Sequence, residues 1–596
     1  MKYTGFQGIT MFSILKKYFG FLAFFLIGII TLYSFVFSSN AFCYLDFCHN
    51  QAFDFLKELS LRLNSFNLSL GSIIYLPIRF FSSLSSGYSN TLYFLLLFIL
   101  GGFWFYKNYK EGDKLGIAAL FGILLVFNPF VYERIMMGQW GVVASTLLMP
   151  IFIYYMFKYF KEPNNHNLIW LVIGFMASSV HQLHFFVINL GILFLYILIL
   201  LFKERFKQIP SITILKNTIK VLGILFLINL YWVLPYIFTQ LQTQNTGIIG
   251  AIDESDMLFF APKTSVVNSL INTAGMYGSW RENSIILAKN ILPLPVWLGI
   301  LIIFIFLMIR GFLTDPKKPE NILFILLFII GLIFAVGMAS QYTAPIFEWF
   351  FDNVPFFKGF RDSNKFVSLI VISYAILGAK GLKSIIDENK DRIHNLKLRK
   401  AFGPILVLIM LSLIIIYNFP QIGLWGQLHP ISYPESYSEL NTYLKNIDET
   451  GHVMYLPLGT YFTYNWSKPA GLDGRIGNPI NRVVEKFIIT GSNEQDYGAK
   501  NELQTNLEVC LKNKNISCLE EQGIQYIILD DCAHFPDKYQ WIRDNLNKTH
   551  KDGCTEVYKT NTIVKVDKDL EIPLSFIIGS IISIITLLYL IFILRK

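Results

Sequence analysis

"FLAFFLIGIITLYSFVFSSNAFCYLDFCHN", residues 21–50, passes from an unbroken apolar run straight into a polar end that holds Cys43, Asp46, Cys48 and His49. The two cysteines could bind a metal, form a disulfide or act as small apolar residues. Asp46 is either a base or a solvated turn residue. The choice depends on which side of a membrane this end faces, so the apolar end must be placed first. A helix crosses a bilayer with roughly 17–25 residues. The run near 17–37 meets that length and lacks the small-residue cleavage site of a signal peptide.

The rest of the chain repeats the pattern. Its 596 residues are 54% hydrophobic and 16% aromatic, with only 15% charged, against about 25% in a typical soluble domain. The net charge of +9 does not indicate a nucleic-acid partner, because the basic residues fall in short clusters between apolar runs, as in cytoplasmic loops of membrane proteins. Further spans are expected near 89–106, 115–131, 141–158, 167–182, 184–202, 219–239, 291–311, 321–340, 366–386, 402–418 and 571–594, about twelve in all. With the N-terminus inside, the inner segments collect about 25 Lys and Arg against about 10 in the outer segments before 419. The expectation is an α-helical polytopic protein of the cell membrane with both termini cytoplasmic.

Two features that played no part in the orientation agree with it. All six cysteines (Cys43, Cys48, Cys510, Cys518, Cys532, Cys554) fall in outer segments, where disulfides persist. So do the Asn-X-Ser/Thr glycosylation acceptors Asn67, Asn465, Asn515 and Asn547. Residues 1–418 read as a transmembrane domain with outer-face loops 38–88, 128–141, 240–290 and 341–365. Residues 419–570 read as an outer α/β domain, since helical spacing in "ESYSELNTYLKNI" alternates with strand patterns such as "GHVMYLPL" and "GIQYIILDD". Residues 571–596 form the final span and a cytoplasmic tail. Cys510 with Cys518 and Cys532 with Cys554 are the sequence-local pairings, one of three connectivities for four cysteines.

Motifs of ordinary soluble enzymes are absent. There is no phosphate-cradling Gly-rich loop followed by Lys, no HExxH and no GxSxG, and the nine histidines are scattered. What remains is polar residues on the outer face, each beside a span. "NPFVYERIMMGQWG", residues 128–141, carries Glu133, Arg134 and Gln139, and charge at that depth is costly unless paired or in a wet cavity. The competing reading is a solvated loop. "SSVHQLHFF" places His181 and His184 at a turn between spans, where interfacial hydrogen bonding competes with a functional role. "YGSWRENS" carries Arg281 and Glu282. "PFFKGFRDSNKF", residues 355–366, sets Lys358, Arg361 and Lys365 just before a span. Arg and Lys suit a lipid-linked phosphate at head-group depth, although basic residues near spans also meet anionic lipids.

In this order the features resemble the GT-C superfamily of membrane glycosyltransferases, and more particularly its arabinofuranosyltransferase-like and YfhO-type branch. The likeness rests on Asp46 followed by two amphipathic stretches at 50–63 and 72–85, then on the four motifs just quoted and on "GHVMYLPLG" and "GIQYIILDD". The WWDYG motif of the oligosaccharyltransferase arm is missing, and Asp46 stands alone rather than in a paired acidic motif. Metal dependence therefore stays open, with a divalent cation as the candidate cofactor. The resemblance implies sugar transfer from a polyprenyl-phosphate donor to a glycan, lipid or glycoprotein acceptor. Asp46 would be the base and Glu133 the next candidate. His49, Arg134, Gln139, His181, His184, Arg281, Arg361 and Lys365 would contact substrate, and Cys43–Cys48 would staple the loop around Asp46. A transporter or flippase of a lipid-linked precursor, and a non-catalytic protein whose outer domain binds a partner, are the alternatives.

Overall fold

A computed structural model of the chain describes residues 11–36, 38, 43–45, 47–48, 87–109, 116–204, 211–243, 254–264, 266–354, 357–390, 392–447, 451–459, 461–468, 471–486, 488–490, 502–533, 537–562 and 573–594. Apolar chain in hydrocarbon must satisfy its own backbone, so the runs fold as helices. They are α1 (Met11–Thr31), α2 (Gly87–Tyr109), α3 (Ile117–Val126), α4 (Pro129–Met136), α5 (Trp140–Lys161), α6 (Asn165–Ser179), α7 (Leu183–Glu204), α8 (Ser211–Ile228) and α9 (Leu230–Thr243). After the short α10 (Glu254–Phe260) come α11 (Leu294–Leu313), α12 (Pro319–Val336), α13 (Ala344–Asn353), α14 (Val367–Lys390) and α15 (Leu396–Tyr417).

Among the described residues nine helices are long and apolar enough to cross a membrane, or up to ten if a pair bent by 71° counts as one span. That is fewer than twelve, and for one segment the reason is its length. The segment expected at 167–182 is α6, which has 15 residues and so rises about 22 Å at 1.5 Å per residue, short of the ~30 Å hydrocarbon core. The segment expected at 17–37 falls on α1, a helix of 21 residues. The bent pair is α8–α9. At the break Asn229 Nδ2 donates to the Leu225 carbonyl at 2.7 Å, and the Tyr231 amide donates to Ser583 Oγ at 3.1 Å. Side chains thus take up backbone groups that the helix releases.

Close packing rests on small residues where helices cross. A Cβ added at Gly311 would lie 1.8 Å from the Leu377 carbonyl oxygen, and one at Gly381 would lie 2.0 Å from that of Leu307. α11 and α14 therefore touch backbone to backbone, as small residues allow in membrane helices.

Outside the bundle, a hairpin of β1 (Cys43–Tyr44) and β2 (Phe47–Cys48) sets Cys43 opposite Cys48. The α/β domain opens with α16 (Glu435–Asn446), β3 (His452–Leu456), β4 (Tyr461–Thr463), β5 (Arg475–Gly477) and β6 (Ile488–Ile489). α17 (Glu502–Lys512), β7 (Ile524–Asp530), β8 (Asn547–Asp552) and β9 (Thr555–Lys559) follow, and α18 (Leu574–Leu594) returns to the membrane. The main sheet has the order β6–β3–β7–β9–β8, with β3 parallel to β6 and β7 and the remaining pairs antiparallel. Every residue of β7 is buried, as expected of a strand covered on both faces. Disulfides join Cys510 to Cys518 and Cys532 to Cys554, with Cα atoms 5.5 and 5.4 Å apart. The domain begins later than residue 419, because Leu424 and Leu428 are buried in the same core as the spanning helices.

Candidate active site at one end of the bundle

The stretch 128–141 is not a solvated loop. Asn128 caps α4 by accepting from the Val131 amide at 3.0 Å, and Pro129 occupies the first turn, where its missing N–H costs nothing. Gln421 closes the break between α3 and α4. Its Oε1 accepts from the Asn128 amide at 3.1 Å and its Nε2 donates to the Val126 carbonyl at 3.0 Å. All eight residues of α4 are buried, and Glu133 and Arg134 are both 0% exposed.

Two knots of charge grow from that helix. Arg134 donates to Asp362 from both terminal nitrogens, at 2.8 and 3.1 Å, and also to Gln139 and Asn364. Lys365 Nζ meets the same Asp362 carboxylate at 3.0 Å. Burial by itself would raise the Asp362 pKa, but Arg134 and Lys365 outweigh it and hold the carboxyl well below the usual range. In the second knot Glu133 Oε2 accepts from the Ser279 amide at 3.2 Å. Its other oxygen is buried with no hydrogen-bond partner. Nearby, Glu282 accepts from Asn272 at 2.7 Å and pairs with Lys289. Burial pushes the Glu282 carboxyl up, against the pull of Lys289. By formal charge, Arg134, Lys289 and Lys365 balance Glu133, Glu282 and Asp362. Such a set is costly to break at any one member.

Two cations outside this balanced set, Arg361 and Lys358, are half-buried. Arg361 lies over the Phe260 ring of α10 at 5.3 Å, and Lys358 over the Phe351 ring of α13 at 5.2 Å. Between them, His184 Nε2 donates to the Gly359 carbonyl at 2.6 Å, which fixes the Nε2–H tautomer because a carbonyl only accepts. The two flanking helices turn apolar faces outward, with Leu258 53%, Phe259 40%, Ile346 41% and Trp349 57% exposed. His181 sits apart from this group. Its Nδ1 meets the Tyr93 hydroxyl at 2.8 Å, and burial pushes its pKa down to about 3, so it is neutral near pH 7.

The α/β domain reaches the site through Asp473, a residue that the sequence reading passed over. Arg281 donates to it at 2.7 Å and the Tyr44 hydroxyl at 3.2 Å. The Leu45 amide donates to the Arg475 carbonyl at 3.1 Å, and the Gly477 amide donates to the Leu45 carbonyl at 2.8 Å. The first outer hairpin is therefore pinned to β5. Asp46, His49 and Asn67 lie outside the described residues, whereas Asn465, Asn515 and Asn547 are exposed. Among the described residues the grouping with metal-ligand donors in mutual reach is Asp530 with Cys532 and Cys554. Those two cysteines are disulfide-bonded and offer no thiolates.

This fold, a helical bundle with charged side chains gathered at one end and an α/β domain carried before the last apolar helix, is similar to that of a solved arabinofuranosyltransferase. The particular likeness is to the arabinofuranosyltransferase AftD from Mycobacteria, with a TM-score of 0.58 at 13% identity, covering 91% of this chain and 39% of that one. A mutant form of the same enzyme gives a TM-score of 0.57 at 12% identity, covering 91% of this chain and 41% of that one. This chain thus spans about two fifths of the length of the enzyme it resembles. No protein-family model matches the sequence, and no curated protein matches it.

Proposed function

We propose that the protein is a membrane glycosyltransferase that takes a sugar from a polyprenyl-phosphate donor on the outer face and places it on a glycan, lipid or glycoprotein. The carrying observation is the pair Arg361 and Lys358, each laid on a ring between helices that expose apolar faces. An isoprenoid tail suits those faces, and its phosphate suits the cations at head-group depth. Lys365, first read with Arg361 as a phosphate ligand, and Arg134, first read as a substrate contact, are tied to Asp362 and hold the Arg361 segment in place instead.

In the transfer, the acceptor hydroxyl oxygen bonds to the anomeric carbon as the bond from that carbon to the phosphate oxygen breaks. Polyprenyl phosphate leaves with the electron pair, its charge met by Arg361. The hydroxyl proton goes to a carboxylate. Asp46, the acidic residue of the first loop, is our first assignment, and Glu133 is the next. In this reading the termini are cytoplasmic and the α/β domain is outside. A transporter would concentrate its polar groups near the bilayer midplane, whereas these gather at one end of the bundle.

The test incubates purified full-length protein with a panel of polyprenyl-phosphate sugars and follows consumption of each. One donor should be consumed, and Asp46→Asn should abolish that consumption while the protein remains folded. If the wild type consumes none of a broad panel, or Asp46→Asn turns over normally, the reading or the assignment of the base fails.

A further inference from the structure

A cleft of about 430 Å³ opens where the outer domain meets the membrane body, lined by Asn283, Ser284, Ile285, Ile286, Asn290, Gly426, Gln427, Gly471 and Leu472. Its volume falls within the 300–1,000 Å³ of small-molecule sites. The chemistry of its walls is narrow. Asn283, Ser284 and Asn290 are exposed polar side chains, and no lining residue is charged.

The walls are held in place. A Cβ at Gly471 would lie 1.8 Å from the Gln427 carbonyl oxygen, so the outer domain touches the membrane body there at backbone distance. Gln427 Oε1 accepts from the Ile286 amide at 2.7 Å, and its Nε2 donates to the Tyr132 hydroxyl. The Tyr132 hydroxyl in turn donates to the Ile286 carbonyl at 3.0 Å. Next to the cleft, Gly423, Leu424, Trp425 and Gly426 all have left-handed φ, at 57, 50, 53 and 64°. Leu424 and Trp425 are not glycines, and a strained backbone of this kind persists only where the surroundings over-determine it. The floor is thus fixed to α4, one residue from Glu133.

Amides and hydroxyls both donate and accept, as sugar hydroxyls do, and an uncharged wall offers no countercharge to a phosphate, a carboxylate or an ammonium group. We infer that this cleft is the acceptor subsite and that it takes the neutral, hydroxyl-rich end of a glycan. The role as an acceptor subsite rests on the transferase reading, but the carbohydrate chemistry of the cleft does not.

The experiment measures binding of neutral tri- and tetrasaccharides of arabinose, mannose, galactose and glucose to the full chain by saturation-transfer NMR and titration. Matched oligosaccharides containing a uronic acid, and a tetrapeptide, serve as comparisons. At least one neutral oligosaccharide should bind. Asn283→Ala combined with Asn290→Ala should weaken it about tenfold, the loss of two neutral hydrogen bonds. Asn290→Trp, which fills the space, should abolish it, and in turnover the loss should fall on the acceptor KM. No binding by any neutral oligosaccharide, a preference for the acidic or peptide ligand, or binding unmoved in both variants would overturn the inference. Glycan binding lost in the variants, in a protein that consumes no donor, would keep the carbohydrate cleft and sink the transferase reading.

Discussion

Asp362→Asn is the most informative single change in the charge network. The amide keeps the shape of the carboxylate and removes its charge. Arg134 then loses an ionic partner bonded at 2.8 and 3.1 Å, and Lys365 loses one at 3.0 Å, with Asp362 itself 4% exposed. The balanced set is left with one cation in excess in a buried place. Removing one partner of a buried ion pair typically costs about 3–5 kcal/mol, and the bonds from Arg134 to Gln139 and Asn364 put the expectation at the lower end. Thermal unfolding in detergent should show a fall of several degrees. Lys365→Met added to Asp362→Asn removes the surplus charge and should recover part of the loss, a coupling that a double-mutant cycle measures. The pH dependence has a definite sign. The folded Asp362 carboxyl titrates below its unfolded value, so its stabilisation is full above about pH 4 and is lost as pH falls from there toward the folded pKa. Wild-type stability in Asp362→Asn, or no rescue by Lys365→Met, would refute the network as drawn.

Two further changes probe independent parts of the molecule. Arg361→Ala should raise the donor KM by about tenfold or more, since a charge-assisted bond is worth about 1.5–3 kcal/mol, while Lys57→Ala should not. Equal small effects would make Arg361 a lipid head-group contact. In the outer domain, burial raises the pKa of Asp530 to about 6, although the hydroxyls of Tyr437 and Tyr455 each donate to it at 2.6 Å. The folded carboxyl therefore keeps a proton that the unfolded chain releases, so stability falls as pH rises from about 4 to about 6. Asn at position 530 should flatten that slope in thermal melts, and an unchanged slope would place the titrating group elsewhere.

The membrane class and the helical segments were legible because long apolar runs have few other ways to fold. The outer α/β domain was legible because strands such as "IQYIILD" are continuous buried runs flanked by helical patterns. α4 was misread as a loop because its proline and paired charges resemble loop composition, yet Asn128 followed by Pro129 is a helix-start signal. The partners of the site had no local trace. Gln421 reaches Asn128 across 293 positions and Gln427 reaches Tyr132 across 295, and Asp473 stands in an unremarkable Gly-flanked turn. The ion pair of Lys365 depended on the burial of Asp362, which no spacing reveals.

Three consecutive residues of α4 connect the parts of the site. Tyr132 bonds to the floor of the polar cleft, Glu133 to the Ser279 amide, and Arg134 to the Asp362 segment that carries Arg361. Successive helical side chains point about 100° apart, so one buried turn can serve the acceptor side and the donor side together. Tyr132→Phe tests this division. The ring still fills its place, but Gln427 is left with contacts of 3.5 Å to the Ile286 and Leu424 carbonyls, and the Ile286 carbonyl loses its donor at 3.0 Å. A buried group left unsatisfied costs about 1–3 kcal/mol, and here the cost falls on the floor of the cleft. The acceptor KM should therefore rise severalfold with the donor KM little changed, whereas Arg361→Ala should show the opposite split. If Tyr132→Phe and Arg361→Ala shift the same constant, the cleft and the cations serve one ligand, and separate donor and acceptor sides on α4 are ruled out.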